Sequence, residues 1–376
     1  MPALTFGYDG FEAQVCTPSP TLLTWLEEFL SPWFTTRVGP PHAGAPRVVV
    51  EIDADLLAGR LAGAEPTGQA AEVFTHDDPQ PPWPLLRAGD AGTLAADPRG
   101  CIAIGVKAAG PGSPRTVHAL VAAERPHGRL VALRALRELA SAYALASGAL
   151  PIHGAALAGD AGVTLFVGRR KAGKSTLLLH ALLEGGGRFV ANDRVFVGVS
   201  ARGADVRGMP TIVSLREGTL ALFPQLRGEL DSKTWHWSGT LEETRARRRS
   251  GRPAEGAGDR WPPGLSPPQL CALLGVAARA GDPLVRIVLP AVVAESGSPR
   301  FALRRLAPDE AAARLLATGL VAGGRLAPFV AGAQGGGRDA LAAPARALAA
   351  TVPCFACALG PDAYAPPPVW EAIRGA

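Results

Sequence analysis

Long apolar runs are absent from this sequence of 376 residues. No uninterrupted hydrophobic stretch is long enough to cross a bilayer, and the N-terminus has no basic leader followed by an apolar segment. Both absences argue against a membrane span and a secretory signal. We therefore predict a cytoplasmic location and no membrane partner.

Cysteine is scarce, and its spacing matches no disulfide framework. The chain has an odd number of cysteines: Cys16, Cys101, Cys271, Cys354 and Cys357. The last two form a lone CxxC pair in a run that alternates like a strand. Because a structural zinc site needs a second pair of ligands, we expect two buried thiols there.

Clustered positive charge is also nearly missing. The net charge of +5 arises from scattered arginines, and only residues 245–249 form a basic run. A nucleic-acid interface needs a larger basic face with aromatic side chains. We interpret the run as a solvated loop and predict no nucleic-acid partner.

Lysine is rarer still, and its position is informative. The four lysines are Lys107, Lys171, Lys174 and Lys233. Two of them lie in the run GRRKAGKST at residues 168–176, which satisfies the phosphate-binding pattern G-x-x-x-x-G-K-[ST]. With so little lysine, a chance match in this chain has odds of about one in a hundred or less. An apolar strand pattern at 163–167 precedes the run and a helical pattern at 176–183 follows it, which is the order a P-loop requires.

Each position of a P-loop has a physical role. Gly168 and Gly173 permit turns that aim backbone N–H groups at phosphate oxygens. We expect Lys174 to reach the β- and γ-phosphates and the Ser175 hydroxyl to bind Mg²⁺. The predicted nucleotide-binding residues are Gly168, Lys171, Ala172, Gly173, Lys174, Ser175 and Thr176. ATP and Mg²⁺ are the predicted cofactors.

An acidic residue follows the next predicted strand. The apolar run at 188–197 is interrupted at Asn192 and Asp193. A carboxylate at the end of a strand beside the P-loop strand suits a metal ligand, so Asp193 is predicted to bind the metal together with Ser175. The alternative is an ordinary turn, since Asn-Asp pairs favour turns.

The length predicts two domains. Residues 1–122 show hairpin, helix and strand patterns, with loops dominating 58–92, and are predicted to form a smaller α+β domain that binds a substrate or partner. Residues 123–376 contain the P-loop and are predicted to form the second, α/β domain. A helix at 129–147 is expected to pack on the sheet that begins after it.

One stretch inside the second domain differs in composition. Residues 228–268 are rich in charge, tryptophan and proline. Such a long irregular insertion is usually functional or disordered. A lid over the site and a disordered segment therefore remain equal alternatives.

The order of motifs resembles the HPr kinase/phosphorylase family and related kinases of peptide natural-product clusters, including lasso-peptide precursor kinases. The residues that carry the resemblance are Ile152-His153-Gly154, the P-loop, Val190-Ala191-Asn192-Asp193-Arg194, and Asp205-Val206-Arg207-Gly208. The resemblance implies a P-loop kinase domain whose fold is shared with phosphoenolpyruvate carboxykinase. It also implies phosphoryl transfer from ATP to a hydroxyl, with His153 near that hydroxyl, Asp193 at the metal and Arg207 near the transferred phosphate.

Two positions depart from the family pattern. Asn192 stands where the family has the acid that is its expected general base, and an amide cannot take up that proton. Thr176 replaces a second acid. Because phosphoryl transfer depends mainly on positioning and charge neutralisation, His153 or Asp205 could assist in place of the missing acid.

Two functions remain open from the sequence. The first is an ATP-dependent kinase with the catalytic residues His153, Lys174, Asp193 and Arg207, acting on a serine or threonine of a peptide or protein, or on a small-molecule hydroxyl. The second is a nucleotide-binding regulatory or accessory module with weak or no transfer. The oligomeric state is also open, a homo-oligomer included.

Overall fold

The computed structural model shows a mixed α/β protein that divides into two compact units. One unit contains Met1–Ser147 and Gly323–Gly335, and the other contains Gly148–Ala322 and Gly336–Ala376. The structure describes residues 1–73, 82–89, 92–108, 115–230, 234–251, 264–293, 300–318, 320, 328–331, 338–360, 362–364 and 369–376. The predicted α/β class is confirmed at this level.

The first unit is built on a nine-stranded sheet. Its strands are β1 (Ala3–Tyr8), β2 (Phe11–Cys16), β3 (Thr35–Arg37), β4 (Arg47–Ile52), β5 (Glu65–Ala71), β6 (Trp83–Arg87), β7 (Thr93–Ala96), β8 (Ile102–Lys107) and β9 (Thr116–Val121). They are ordered β3-β1-β2-β4-β9-β8-β7-β6-β5. The described helices of the unit are α1 (Pro20–Leu30), α2 (Ala54–Ala62), α3 (Arg129–Ala146) and α10 (Pro328–Ala331), with a π-helical turn at Glu124–Gly128.

Several local predictions for this unit are confirmed. Strands β1 and β2 form the expected hairpin, and its turn residues Asp9 and Gly10 have φ values of 47° and 83°, as a tight hairpin turn requires. Helix α1 begins after Ser19, whose side chain accepts a hydrogen bond from the Leu22 N–H. Its apolar face, including Trp25 and Phe29, is buried.

The expectation that loops dominate residues 58–92 was wrong. Helix α2 covers the beginning of this stretch, because Asp53 caps its N-terminus by accepting from the Leu56 N–H at 2.8 Å. Strands β5 and β6 follow and pair with each other. Strand β5 tolerates Pro66 and Gly68 because it lies at the edge of the sheet, where half of its backbone groups need no strand partner.

The boundary between the units falls at Ser147–Gly148, not at 122–123 as predicted. The intervening helix, α3, packs on β2, β4 and β9 of the first unit, and not on the sheet that follows it as expected. Its apolar face is broad, with Val131, Leu133 and Leu136 buried. Helical periodicity shows that a helix buries one face but does not say which sheet covers it.

The second unit contains the P-loop. Its strands are β10 (Leu150–Gly159), β11 (Gly162–Val167), β12 (Arg188–Ala191), β13 (Arg194–Ser200), β14 (Gly203–Met209), β15 (Val213–Ser214), β16 (Gly264–Leu265), β17 (Gly281–Val292), β18 (Phe301–Arg305) and β19 (Cys354–Leu359). The described helices are α4 (Lys174–Gly185), α5 (Glu217–Leu220), α6 (Pro224–Glu229), α7 (Leu241–Ser250), α8 (Pro267–Leu274), α9 (Pro308–Thr318), α11 (Ala342–Thr351) and α12 (Val369–Gly375), with a 3₁₀ turn at Arg338–Leu341.

The main sheet of this unit partly closes on itself. Its strands follow the order β11-β10-β13-β14-β17-β19-β18, β12 pairs with β10, and a further pairing joins β11 to β17. The pairs β11–β17 and β17–β19 are parallel. Strand β12 runs in the same direction as β11, because both are antiparallel to β10. The carboxyl ends of β11, β12, β17 and β19 therefore meet at one edge, where ligands of α/β sheets usually bind.

The core of the second unit explains why β11 is apolar throughout. All six of its residues are buried, as expected for a strand with parallel and antiparallel neighbours and covered faces. The predicted buried thiols are also confirmed, since Cys354 and Cys357 on β19 are both buried and burial raises the pKa of each to about 11. At neutral pH they are therefore protonated core residues.

The insertion at residues 228–268, predicted to be irregular, contains regular helical structure. Helix α7 occupies its middle, and Thr240 and Glu243 form a capping box at the start of that helix. The basic run at 245–249 lies on this helix, which corrects the interpretation of a loop. Arginines in the last turn of a helix interact favourably with its dipole. Residues 231–233 and 252–263 of the insertion lie outside the described residues.

One buried histidine, His180, and one half-buried histidine, His236, predict how stability depends on pH. Burial lowers the pKa of His180 and of His236 below the ordinary value of about 6.5. Below that value the unfolded chain binds more protons than the native state, so stability falls as the pH drops. We expect thermal unfolding at pH 5.5 to occur at a lower temperature than at pH 7.5, and His236→Gln to reduce the difference. The exposed His118 is the control, and an equal effect of His118→Gln would contradict this explanation.

Candidate functional site

The P-loop connects the carboxyl end of β11 to helix α4. Two residues of the loop, Lys171 and Gly173, have left-handed backbone conformations with φ values of 68° and 97°. Gly173 is also confined, because a Cβ atom there would lie 2.9 Å from Cδ1 of Leu359. At Gly168 a Cβ atom would lie 3.2 Å from the Cβ of Ala172, which is tight but less severe. Glycine is thus required at position 173 both by its left-handed backbone conformation and by the lack of space for a Cβ atom.

The Lys174 side chain is held inside the loop. It is 7% exposed, and its Nζ donates hydrogen bonds to the backbone oxygens of Gly168 at 2.8 Å and Arg169 at 3.0 Å. Because both acceptors belong to the loop itself, the ammonium group lies where the loop curves around it. The ammonium charge is therefore enclosed by the backbone of the loop.

The start of α4 strengthens the positive potential of the loop. Gly173 is the N-cap residue and forms no side-chain capping hydrogen bond. The first backbone N–H groups of a helix have no partner within the helix, and together with the helix dipole they favour an anion. The side chains of Arg169, Arg170 and Lys171 are exposed at the surface of the loop. They add cationic charge around it.

Thr176 belongs to a small polar cluster that sequence reasoning missed. Its hydroxyl oxygen lies 3.4 Å from that of Thr219 on α5. Burial raises the pKa of the Tyr364 phenol, and a hydrogen bond with the Thr176 side chain opposes that rise. The Tyr364 hydroxyl also lies 3.7 Å from where a Cβ on Gly173 would stand. Neither Thr219 nor Tyr364 lies in a recognisable motif, so no signal in the sequence could have identified them.

His153 and Asp193 are brought together at the same edge of the sheet. Gly154 pairs with Val167, the last residue of β11, so His153 lies just beyond the end of the P-loop strand. Asp193 follows the carboxyl end of β12. The Nδ1 atom of His153 lies 3.0 Å from the Asp193 carboxylate oxygen Oδ1 and 3.1 Å from the Asp193 backbone oxygen. The histidine is mostly buried, whereas the carboxylate of Asp193 is 43% exposed.

Strand register places the remaining predicted residues relative to His153. His153 is opposite Arg194 on β13, which is in turn opposite Met209 on β14. Arg207 lies two residues from Met209, hence on the same face and about 7 Å further along the strand. Asp205 is two residues further again, about 13 Å from the row of His153. The register separates Asp205 from the site, and Nη1 of Arg207 lies beside Gly281 at the amino end of β17, 3.1 Å from where a Cβ atom on that glycine would stand.

Arg194 is a second residue that sequence reasoning did not assign to the site. It is 8% exposed and stands opposite His153 across the β10–β13 pair. A buried arginine opposite His153 contributes positive charge to this part of the sheet. The sequence feature that could have assigned Arg194 to the site was its position directly after Asp193.

The donors for a divalent cation are few. Among the described residues, no cluster of three or more His, Cys, Asp or Glu side chains could hold a metal ion. Ser175 and Asp193 supply a hydroxyl and a carboxylate, the oxygen ligands that Mg²⁺ prefers. Because Mg²⁺ in phosphate sites is held by one or two protein ligands plus phosphate oxygens, this small donor set fits it.

Comparison with known proteins adds no assignment. No protein-family model matches this sequence, and no curated protein matches it significantly. Within the described part of the chain, no helix is both long and apolar enough to span a bilayer.

Proposed function

We propose that this protein is a cytoplasmic, ATP- and Mg²⁺-dependent kinase that transfers the γ-phosphate to a hydroxyl group, on a P-loop domain of the HPr kinase/phosphoenolpyruvate carboxykinase type. The observation that carries the proposal is the position of Lys174, whose buried ammonium group lies within the curve of the loop at the start of α4. The His153–Asp193 pair at the same sheet edge supplies groups for chemistry next to a bound phosphate.

The nucleotide would bind through the loop. Backbone N–H groups from Gly168 to Thr176 and the ammonium group of Lys174 would contact phosphate oxygens. Ser175 and Asp193 would hold Mg²⁺. The ion would offset the negative charge of the phosphates at this site.

His153 is the group best placed to accept the proton of the acceptor hydroxyl. The Asp193 carboxylate oxygen and the Asp193 backbone oxygen, which lie within hydrogen-bond distance of its Nδ1, only accept hydrogen bonds. The neutral ring therefore carries its proton on Nδ1 and has a lone pair on Nε2. Asp193 holds the ring in this tautomer, as the carboxylate does in other catalytic histidine pairs. This arrangement supplies a base although Asn192 cannot.

In the transfer step, one bond to the γ-phosphorus forms and another breaks. The acceptor oxygen attacks the γ-phosphorus, the bond from that phosphorus to the β–γ bridging oxygen breaks, and ADP leaves. The hydroxyl proton moves to Nε2 of His153. Arg194 stands opposite His153, where its positive charge would stabilise the charge of the transition state.

The chemistry of the acceptor is a serine or threonine hydroxyl of a peptide or protein, or a hydroxyl of a small molecule. Labelled ATP incubated with the full-length protein and candidate peptides tests this directly. We expect label on hydroxyl-bearing peptides or small molecules and none on peptides whose serine and threonine residues are replaced by alanine. A small precursor-peptide gene beside the gene for this protein would favour the peptide substrate.

An alternative function is a nucleotide-binding regulatory or accessory module. Asn192, which stands where an acid is expected, is the observation that favours it. Such a module would bind ATP through the same loop but would neither transfer phosphate nor hydrolyse ATP at an appreciable rate. Tight ATP binding without turnover toward any hydroxyl acceptor or water would therefore select the module over the kinase.

A further inference from the structure

A cavity lies in the P-loop unit at the far end of helix α4. It has a volume of about 260 Å³ and lies beside the β10–β11 turn and the glycines that end α4. Its lining includes Arg188, Arg286, Arg374 and Trp370. Small-molecule pockets usually measure about 300–1,000 Å³, so this cavity suits a small ligand and not a nucleotide or a folded peptide.

The charge of the lining is strongly positive. The lining contains three arginines and one acidic residue, the exposed Asp160, and one guanidinium nitrogen of Arg286 donates to the backbone oxygen of Ile373. Partial burial lowers the pKa of Arg286, which reflects the unfavourable desolvation of its charge. An anion in the cavity would offset that desolvation. Arginine is the side chain best suited to bind phosphate or carboxylate through paired hydrogen bonds.

Two buried donors at the cavity have no hydrogen-bond partner among the described residues. Among the described residues, neither Nε1 of Trp370 nor Nε of Arg188 has a hydrogen-bond acceptor. Trp370 is 6% exposed, and its ring is fixed edge-on against Phe166. Buried donors are nearly always satisfied in native proteins, so an acceptor from outside the chain is expected here.

The glycines at the end of α4 make room for this arrangement. A Cβ atom on Gly185 would lie 2.1 Å from Nε1 of Trp370, so no other residue fits beneath the indole. Gly186 ends the helix in a left-handed conformation with φ 65°. Helix α4 has 12 residues, and at about 1.5 Å per residue it separates this cavity from the P-loop by about 18 Å. The cavity is therefore distinct from the proposed nucleotide site.

We propose that this cavity binds a small phosphate-bearing anion, separately from the nucleotide. The three guanidinium groups and the carboxylate leave a net charge of two positive units, which matches a phosphate dianion. The indole N–H and the Arg188 N–H supply the further donors that its oxygens require. The ligand is either inorganic phosphate or the phosphate ester of a small metabolite.

Calorimetry on the full-length Lys174→Ala variant tests the proposal, because that variant weakens phosphate binding at the P-loop and so reduces its part of the signal. Inorganic phosphate and glycerol 3-phosphate distinguish the free ion from an ester, and acetate tests whether a carboxylate suffices. We expect one site for phosphate or its ester and none for acetate. Adding Arg374→Gln should weaken binding about tenfold or more, as expected for the loss of a charged hydrogen-bonding group.

Two further variants control this experiment. Arg202→Gln removes an equally exposed arginine from the β13–β14 turn and should leave the affinity unchanged. Trp370→Phe keeps the ring but removes its N–H and should weaken binding. Unchanged affinity in both Arg374→Gln and Trp370→Phe would overturn the proposal, as would the absence of binding by either phosphate probe. Equal binding of acetate would overturn the assignment to phosphate. None of these outcomes depends on kinase activity.

Discussion

Replacing Lys174 with alanine should weaken ATP binding by about 10- to 100-fold while the fold remains intact. A hydrogen bond to a charged group contributes about 1.5–3 kcal/mol, and about 1.4 kcal/mol corresponds to a factor of ten in affinity. The Lys174 ammonium is fixed within the loop by two backbone oxygens, so its contribution requires little rearrangement on binding. Isothermal titration calorimetry with a non-hydrolysable ATP analogue measures the change.

Lys107→Ala is the matched control for this experiment. Lys107 ends β8 in the other unit and is exposed, so its removal should leave ATP affinity unchanged. Circular dichroism and the thermal unfolding temperature would show whether Lys174→Ala is folded. Undiminished ATP affinity in a folded Lys174→Ala variant would remove the nucleotide-site assignment and the kinase proposal with it.

Replacing His153 with alanine should lower the turnover number about 100-fold or more, with ATP affinity nearly unchanged. General bases typically contribute about 10²- to 10⁴-fold to a rate, and the Nε2 lone pair of His153 is the proposed proton acceptor. ATP affinity should persist because the loop, Lys174 and Ser175 are intact. Phosphate transfer at saturating ATP measures the turnover, and calorimetry measures the affinity.

The Asn192→Asp substitution tests whether His153 acts as a base or has only a structural role. In the wild-type background the change should have little effect, because His153 already accepts the proton. In the His153→Ala background it should restore part of the lost activity, because it places a carboxylate beside the site. Full activity of His153→Ala would contradict the assignment. A large gain from Asn192→Asp alone would show instead that the wild-type protein lacks an effective base.

The arrangement at the sheet edge explains how widely separated motifs act together. The P-loop follows β11, Asp193 follows β12, and His153 lies on β10 between these two strands. Two parallel strands with an antiparallel strand between them therefore deliver a cation, a carboxylate and an imidazole to one edge. The function proposed here depends on this topology as much as on the residues.

The local elements of the site could be predicted because their signals are short-range. The strand before the P-loop is continuously apolar, the glycines allow its turns, and a helix follows at once. The break at Asn192 and Asp193 between two apolar runs correctly separated β12 from β13. Helix α7 also had a local sequence signal, the capping-box residues Thr240 and Glu243. The unusual composition of residues 228–268 led instead to the prediction of an irregular insertion.

Other features depend on contacts between residues far apart in the chain. Helix α3 shows the same periodicity whichever sheet it covers, so only its packing on β2, β4 and β9 decides which unit it joins. Strand β5 carries proline and glycine that argue against a strand, but its place at the sheet edge permits them. Tyr364 lies near the end of the chain and hydrogen-bonds to the Thr176 side chain, but no sequence motif indicates this contact.

The sequence by itself determined that this protein has a P-loop, because a phosphate cradle consists of consecutive residues whose chemistry and backbone freedom are local properties. Only the tertiary structure decided that His153 hydrogen-bonds to Asp193, that Asp205 stands apart, and that three arginines and Trp370 line one cavity at the far end of α4. Strand register and helix packing bring these groups together over long sequence separations. No local pattern encodes such distances.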